Sequence, residues 1–524
     1  MSSNRYNLNC RITNIKEKFS GKEHTLIINH DQQEYYFDEL FIAILENINS
    51  LEKKEQFLKQ FTCSQEEFDI AYNLILKGRF VLPENESRSP KIGILTERMS
   101  LGFGVDLVVH ETAKRLDKDF GYDVTVYTGK VEESYQDVTY NIISLDEELN
   151  LGSDTFSQKY HTIAIPYLNS KEIDLWLIET PPFYYWKDQL NAPIIFVEHG
   201  TPDGDFFPKK MRLIVESASW VKKHLIFEKL RPYDHIVTVS EYLKSTLPDE
   251  ARKRTTVIHN GSDHYSNPQP EEIDSFKREY GINKGDFILL SVARIDFDPE
   301  KSPYKGLEEL LEIYEKVKTE NKSIKLILAG RSEDKYKDLL KNKDIIPILN
   351  VPAEKLPIIF SACDLYITAS KWEGFNLPLA EAQYAGKPCI AYNLCAHPEL
   401  IKNGETGFLV ESKEEFADKI LELSTNRDLI NAMIEKSFKN SELFKWLDSI
   451  TKLNDLIVKL YFKKHFNTEY SCKKNKFQFF RMYFQIGRNI LKTEGVCGLI
   501  TILSYEVKKR IKDFFRIYKK RHGR

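Results

Sequence analysis

The sequence predicts an α/β protein of two successive Rossmann-like, parallel-sheet domains, preceded by a small α+β unit and followed by a basic helical tail. Three observations carry that expectation. Between about residues 91 and 460, short apolar runs of strand length alternate with amphipathic helical stretches, the grammar of a parallel sheet covered on both faces. The 524 residues exceed one ordinary domain. Apolar content of 42% with 29% charged residues fits globular material rather than a disordered chain.

Residues 1–88 form the first unit. H-T-L-I-I-N-H-D-Q-Q-E-Y-Y-F-D-E-L reads as a hairpin around Asp31, and F-I-A-I-L-E-N-I and E-E-F-D-I-A-Y-N-L-I-L carry helical periodicity. Two or three strands followed by about three helices make a unit of winged-helix size. Its order is similar to the small peptide-recognition domains attached to enzymes that modify ribosomal peptides; a structural cap or an oligomerisation module is the alternative. P-E-N-E-S-R-S-P, residues 83–90, reads as a linker.

The first large domain is expected over residues 89–268. K-I-G-I-L-T-E is a buried strand, S-L-G-F-G-V-D a turn containing Gly102 and Gly104, and L-V-V-H-E-T-A-K-R-L an amphipathic helix. Strands D-V-T-V-Y-T-G, D-L-W-L-I-E-T, P-I-I-F-V-E-H-G and H-I-V-T-V-S-E follow, and His199 falls at a strand's carboxyl end, where ligands of such sheets bind. V-I-H-N-G-S-D ends the domain and S-N-P-Q-P is a hinge.

The second domain is expected over residues 269–460. F-I-L-L-S-V-A-R ends in Arg294, and Lys305-Gly306 opens an amphipathic helix. Lys301 competes with Lys305 for any ligand role, and the K-G placement before the helix favours Lys305. I-K-L-I-L-A-G and I-I-P-I-L-N-V are the next strands. D-L-Y-I-T-A-S then leads into a polar loop and a helix with Pro378 as its first residue and Gly386 past its end. Backbone N–H groups of Phe375 to Leu379 would point beyond the strand end, a ready site for phosphate. Glu373 in the loop and Glu381 in the helix's first turn would accept hydrogen bonds from vicinal hydroxyls, as a sugar or ribose offers.

E-G-F-N-L-P-L-A-E-A, with seven residues between Glu373 and Glu381 and A-G-K-P-C-I-A after it, resembles the E-x7-E signature of the retaining glycosyltransferases of family 4. The resemblance covers about residues 91–460. It implies the GT-B fold, two Rossmann-like domains facing a central cleft, and a nucleotide-diphosphate sugar as donor with no metal or other cofactor. Arg294 and Lys305 would clamp the diphosphate, Glu381 the ribose, and Glu373 the transferred sugar together with amides of Gly374, Phe375, Asn376 and Leu377. Val351 would begin the base-binding loop, Gly102 and Gly104 would face acceptor and donor phosphate, and His199 would orient sugar or acceptor. The function implied is a retaining glycosyl transfer in the assembly of a bacterial surface polysaccharide or glycolipid. A peptide acceptor recognised by the first unit, a nucleotide-sugar epimerase or hydrolase, and a non-catalytic GT-B relic are the alternatives.

Seven cysteines, odd in number, scattered and without C-x-x-C, argue for a reducing compartment and against a disulfide or zinc framework. The amino terminus lacks an apolar signal core and no segment reaches a membrane span, so the expected location is cytosolic. Residues 463–524 carry 17 Lys and Arg against 4 acidic residues, which leaves the remainder of a chain of net charge −3 at −16. In the tail, residues 461–524, Val507, Ile511, Phe514, Phe515 and Tyr518 share a helical face among cations, the composition of an interfacial membrane helix; no nucleic-acid motif accompanies the charge. A helix pair packed on the second domain is the structural alternative. The full chain should co-sediment with anionic vesicles and a chain truncated at Lys463 should not; equal pelleting would remove the membrane role.

Overall fold

A computed structural model describes residues 90–131, 138–151, 155 and 157–466, together with five short strands before them. Those strands are β1 (Tyr6–Leu8), β2 (Arg11–Lys16), β3 (Glu23–Ile28), β4 (Glu34–Tyr36) and β5 (Val81–Pro83). β3 and β4 pair antiparallel across the expected hairpin, β2 joins β3, and β1 pairs with β5. Pro83 therefore belongs to a strand, opposite Tyr6, and not to the linker. The expected helices of the first unit and the basic tail beyond Phe466 lie outside the described residues, the tail's first six residues continuing the helix Trp446–Phe466.

Two all-parallel sheets follow. The first contains β6 (Lys91–Met99), β7 (Asp123–Val131), β8 (Asn141–Ser144), β9 (Leu175–Ile178), β10 (Ile194–Glu198), β11 (His235–Thr238) and β12 (Thr255–Val257), in the order β12-β11-β10-β9-β6-β7-β8. The second contains β13 (Phe287–Val292), β14 (Ile324–Gly330), β15 (Ile345–Leu349), β16 (Leu365–Thr368), β17 (Cys389–Tyr392) and β18 (Gly407–Val410), in the order β15-β14-β13-β16-β17-β18. β9 and β10 are buried at every residue, which is why they read as unbroken apolar runs. Sequence reading missed β8 and β12, each too short to show a periodicity of its own.

In both sheets the strand order reverses beside the first strand, between β6 and β9 and between β13 and β16. Loops at such a point diverge to opposite faces and leave a crevice beyond the strand ends. The helix Trp446–Phe466 crosses back to the first domain: Asp263 accepts its first N–H at 2.8 Å and the Tyr122 hydroxyl donates to Asn454 at 2.7 Å. Phe444, Trp446, Ile450 and Leu453 join one apolar cluster with β6, β10 and β13 side chains, so the two domains share a core.

Glu399 also spans the junction. Its carboxylate accepts the N–H groups of Glu241 and Tyr242 at 2.8 Å and sits 2.8 Å from His259 Nε2. Burial pushes this carboxyl up, but the hydrogen bonds from His259 and the two amides outweigh it and hold the group below its ordinary 4.5. The stabilisation is therefore present above that value and lost as pH falls through the folded one. Glu399→Ala should destabilise the chain by about 2 kcal/mol at pH 7 in urea unfolding, and the gap to wild type should close towards pH 3.

Candidate functional site

The helix of the central stretch runs over Leu377–Tyr384, with Pro378 in its first turn. Asn376 caps it, its side-chain oxygen accepting Leu379 N–H at 3.3 Å. Because the helix starts at Leu377, one residue before the expected Pro378, Glu381 is the fifth helical residue, one residue deeper than its expected first-turn position. The Asn376 amide is itself held: its Nδ2 donates to His397 Nε2 at 3.1 Å, while His397 Nδ1 donates to the Tyr392 carbonyl at 2.9 Å. His397 is completely buried, and burial pushes its pKa below the ordinary 6.5, so the ring stays neutral and keeps this tautomer.

Both carboxylates of the motif are buried. Glu373 receives an ion pair from Lys305 Nζ at 2.8 Å, whereas Lys301 turns to Asp296 and Glu333 at 2.9 and 2.8 Å on the exposed side. The geometry thus brings Lys305, and not Lys301, to the motif. Glu381 Oε1 lies 3.3 Å from His264 Nε2, with both side chains about 95% buried. Phe375 and Leu377 are buried in the shared apolar cluster, so that loop offers its backbone rather than these side chains.

The opposite wall comes from the first domain. A Cβ on Gly374 would collide with the His199 carbonyl oxygen, so the loop's glycine permits direct backbone approach between domains. His199 Nε2 lies 2.7 Å from the carboxylate of Glu179, a buried residue just past β9. Gly102, at φ +80°, abuts Arg331, and Gly104, the first residue of the helix Gly104–Lys118, abuts Leu377. Between these glycines the Phe103 ring is surrounded by guanidinium carbons of Arg98 at 3.5 Å, Arg331 at 4.4 Å and Arg294 at 5.5 Å from its centroid. Arg331 Nη1 also donates to Ser100 Oγ at 3.0 Å and the Leu101 carbonyl at 2.8 Å, and Arg294 Nη1 donates to Ser302 Oγ at 3.1 Å. Val351 lies past the end of edge strand β15, before the turn Ala353–Lys355.

The structure therefore brings His199 against Gly374, Gly102 and Gly104 against Arg331 and Leu377, and Lys305 onto Glu373, while Arg294 reaches the Phe103 ring, Glu381 faces His264 and Val351 lies past β15. Sequence reasoning missed Glu179, Arg331, His264 and His397. Arg331 carries a local signal, a cation directly past a strand-end glycine in A-G-R-S; the other three become visible only through their partners. Among the described residues no group of three or more His, Cys, Asp and Glu could hold a metal ion, and no helix is long and apolar enough to cross a membrane.

Comparison with known proteins matches this architecture. Residues 104–265 match the family model "Glycosyltransferase Family 4" and residues 272–440 the model "Glycosyl transferases group 1". A putative glycosyltransferase of Bacillus subtilis, YtcC, is 27% identical over 47% of this chain and 66% of its own length. A trehalose synthase of Pyrococcus horikoshii is 29% identical over 64% of this chain and 82% of its own. Among solved structures, Anabaena HepE in complex with UDP and glucose superposes with a TM-score of 0.55 at 17% identity, covering 70% of this chain and 98% of that one. WaaG, a glycosyltransferase involved in lipopolysaccharide biosynthesis, gives 0.56 at 16% identity, covering 70% and 99%.

Because neutral His397 is the lowered-pKa form, the unfolded chain takes up the proton first, and the stability it contributes is present above 6.5 and lost as pH falls below it. His397→Gln should be less stable than wild type by about 1–3 kcal/mol at pH 7.5. That gap should narrow at pH 5 in chemical denaturation, whereas a constant gap would contradict the buried neutral ring.

Proposed function

From the premise that this chain belongs to the group 1 glycosyltransferases with the GT-B fold, we propose that it moves a sugar from a nucleoside-diphosphate donor to an acceptor hydroxyl with retention of anomeric configuration. The observation that carries the reading is the buried pair Glu373 and Glu381, set past β16 at the sheet's switch point, with Lys305 on the first and Arg294 just past the paired strand β13. A diphosphate gains negative charge as the glycosidic bond breaks, and the guanidinium of Arg294 and the ammonium of Lys305 stabilise it. Positive charge for the leaving group thus comes from side chains, and the reading calls for no metal or other cofactor.

Glu373 accepts hydroxyls of the transferred sugar once Lys305 turns to phosphate, and Glu381 accepts those of the ribose. Val351 begins the loop that receives the base. The amides of residues 374–377 face the sugar, and Gly102 and Gly104 let the first domain's backbone approach the phosphates. His199, held by Glu179 at Nε2, presents its other face to sugar or acceptor. In this reading the departing phosphate oxygen takes the acceptor's proton, so no protein nucleophile is needed. The UDP and glucose named for the HepE complex support a UDP-sugar as donor, and the lipopolysaccharide role named for WaaG supports a surface glycan or glycolipid as acceptor.

A thermal-shift screen against UDP, GDP, ADP and CMP, followed by NMR of the first product, tests the reading. One nucleotide should raise the wild-type midpoint, by about 2.7 kcal/mol of stabilisation at a hundredfold excess over Kd, and Glu381→Ala should abolish the shift. Product of inverted configuration would overturn retention, and no shift with any nucleotide would favour a non-catalytic GT-B protein.

A further inference from the structure

His264 lies in the segment between β12 and the helix Pro270–Glu279 that opens the second domain, outside the motif. Three contacts define what it can do. Trp446 Nε1 donates to His264 Nδ1 at 3.2 Å, and an indole nitrogen can only donate, so Nδ1 is an acceptor and the ring's proton sits on Nε2. The ring is wedged against Tyr265, centroids 3.9 Å apart, and edges Trp446. This leaves an imidazole of fixed tautomer and fixed orientation.

Its Nε2–H is buried and has no hydrogen-bond partner, although Glu381 Oε1 stands 3.3 Å away. The buried Glu381 carboxylate is the polar group that this donor faces. A buried donor left without a partner beside a buried carboxylate is costly unless a ligand completes it. A hydroxyl is the group that does so, because its oxygen accepts one hydrogen bond while its hydrogen is donated in another.

Resting on the reading of Glu381 as the residue that holds the donor's ribose, we propose that His264 is a second reader of that ribose: its Nε2–H donates to a hydroxyl oxygen whose hydrogen goes to Glu381. The pair distinguishes a ribose diol from a deoxyribose, since the missing hydroxyl leaves the buried His264 Nε2–H unpaired again. Trp446 at the start of the return helix holds the tautomer, so the helix that ties the domains together also sets the polarity of the nucleotide pocket.

Isothermal titration of the full chain with UDP, GDP and ADP, and with the 2′-deoxy and 3′-deoxy forms of whichever binds, tests this. Wild type should bind one deoxy form on the order of tenfold or more weakly than the ribonucleotide. His264→Phe should lose about tenfold for the ribonucleotide, change little for that deoxy form, and so compress the ratio. His264→Leu takes its place if the larger ring prevents folding. A folded variant that weakens both ligands equally, or neither, keeps the wild-type ratio and overturns the proposal while leaving the glycosyltransferase reading intact. Binding of no nucleotide by wild type would overturn both.

Discussion

The cleft turns on the burial of two carboxylates. Removing a carboxylate from water costs several kcal/mol unless charge or hydrogen bonds replace the lost hydration. Glu373 meets that demand inside its own domain with Lys305, whereas Glu381 faces a histidine supplied by the segment between the domains. The two therefore differ in their partners. Glu373 is paired with Lys305, while Glu381 stands against the buried Nε2–H of His264.

That demand explains why the surrounding architecture is closed by contacts between domains. Gly374 meets the His199 backbone, Glu399 caps a short helix of the opposite domain, and Asp263 holds the first turn of the return helix. The two carboxylates lie buried at this junction, and burial strengthens each electrostatic interaction that remains. The Phe103 ring between three arginines belongs to the same arrangement: the converging guanidiniums are held over the negative face of an aromatic ring. Neutral His397 fixes the Asn376 cap without adding charge to the site.

What the chain announces in one dimension is whatever depends on local chemistry. Strands buried on both faces are largely apolar, so β9, β10, β14 and β16 were legible from composition alone, and a polar loop ahead of a proline marks a helix start here. The two glutamates and their spacing were legible for the same reason, because a loop and one helix carry both. The order of strands and the short strands β8 and β12 were decided by pairing between distant segments, which leaves little periodicity to read.

The same division runs through the site. Sequence by itself determined the parallel-sheet plan, the Glu373 and Glu381 motif, and the candidacy of Arg294, Lys305 and His199 at strand or helix ends. Only the tertiary structure decided that Lys305 and not Lys301 faces Glu373, that Glu179 holds His199, that His397 sets the Asn376 cap, and that His264 stands against Glu381. Each of these is a contact between elements far apart in the chain. The physical reason is that a side chain's type is local, but its partner is chosen by how helices and strands pack, and hydrogen-bond geometry exists only after packing is complete.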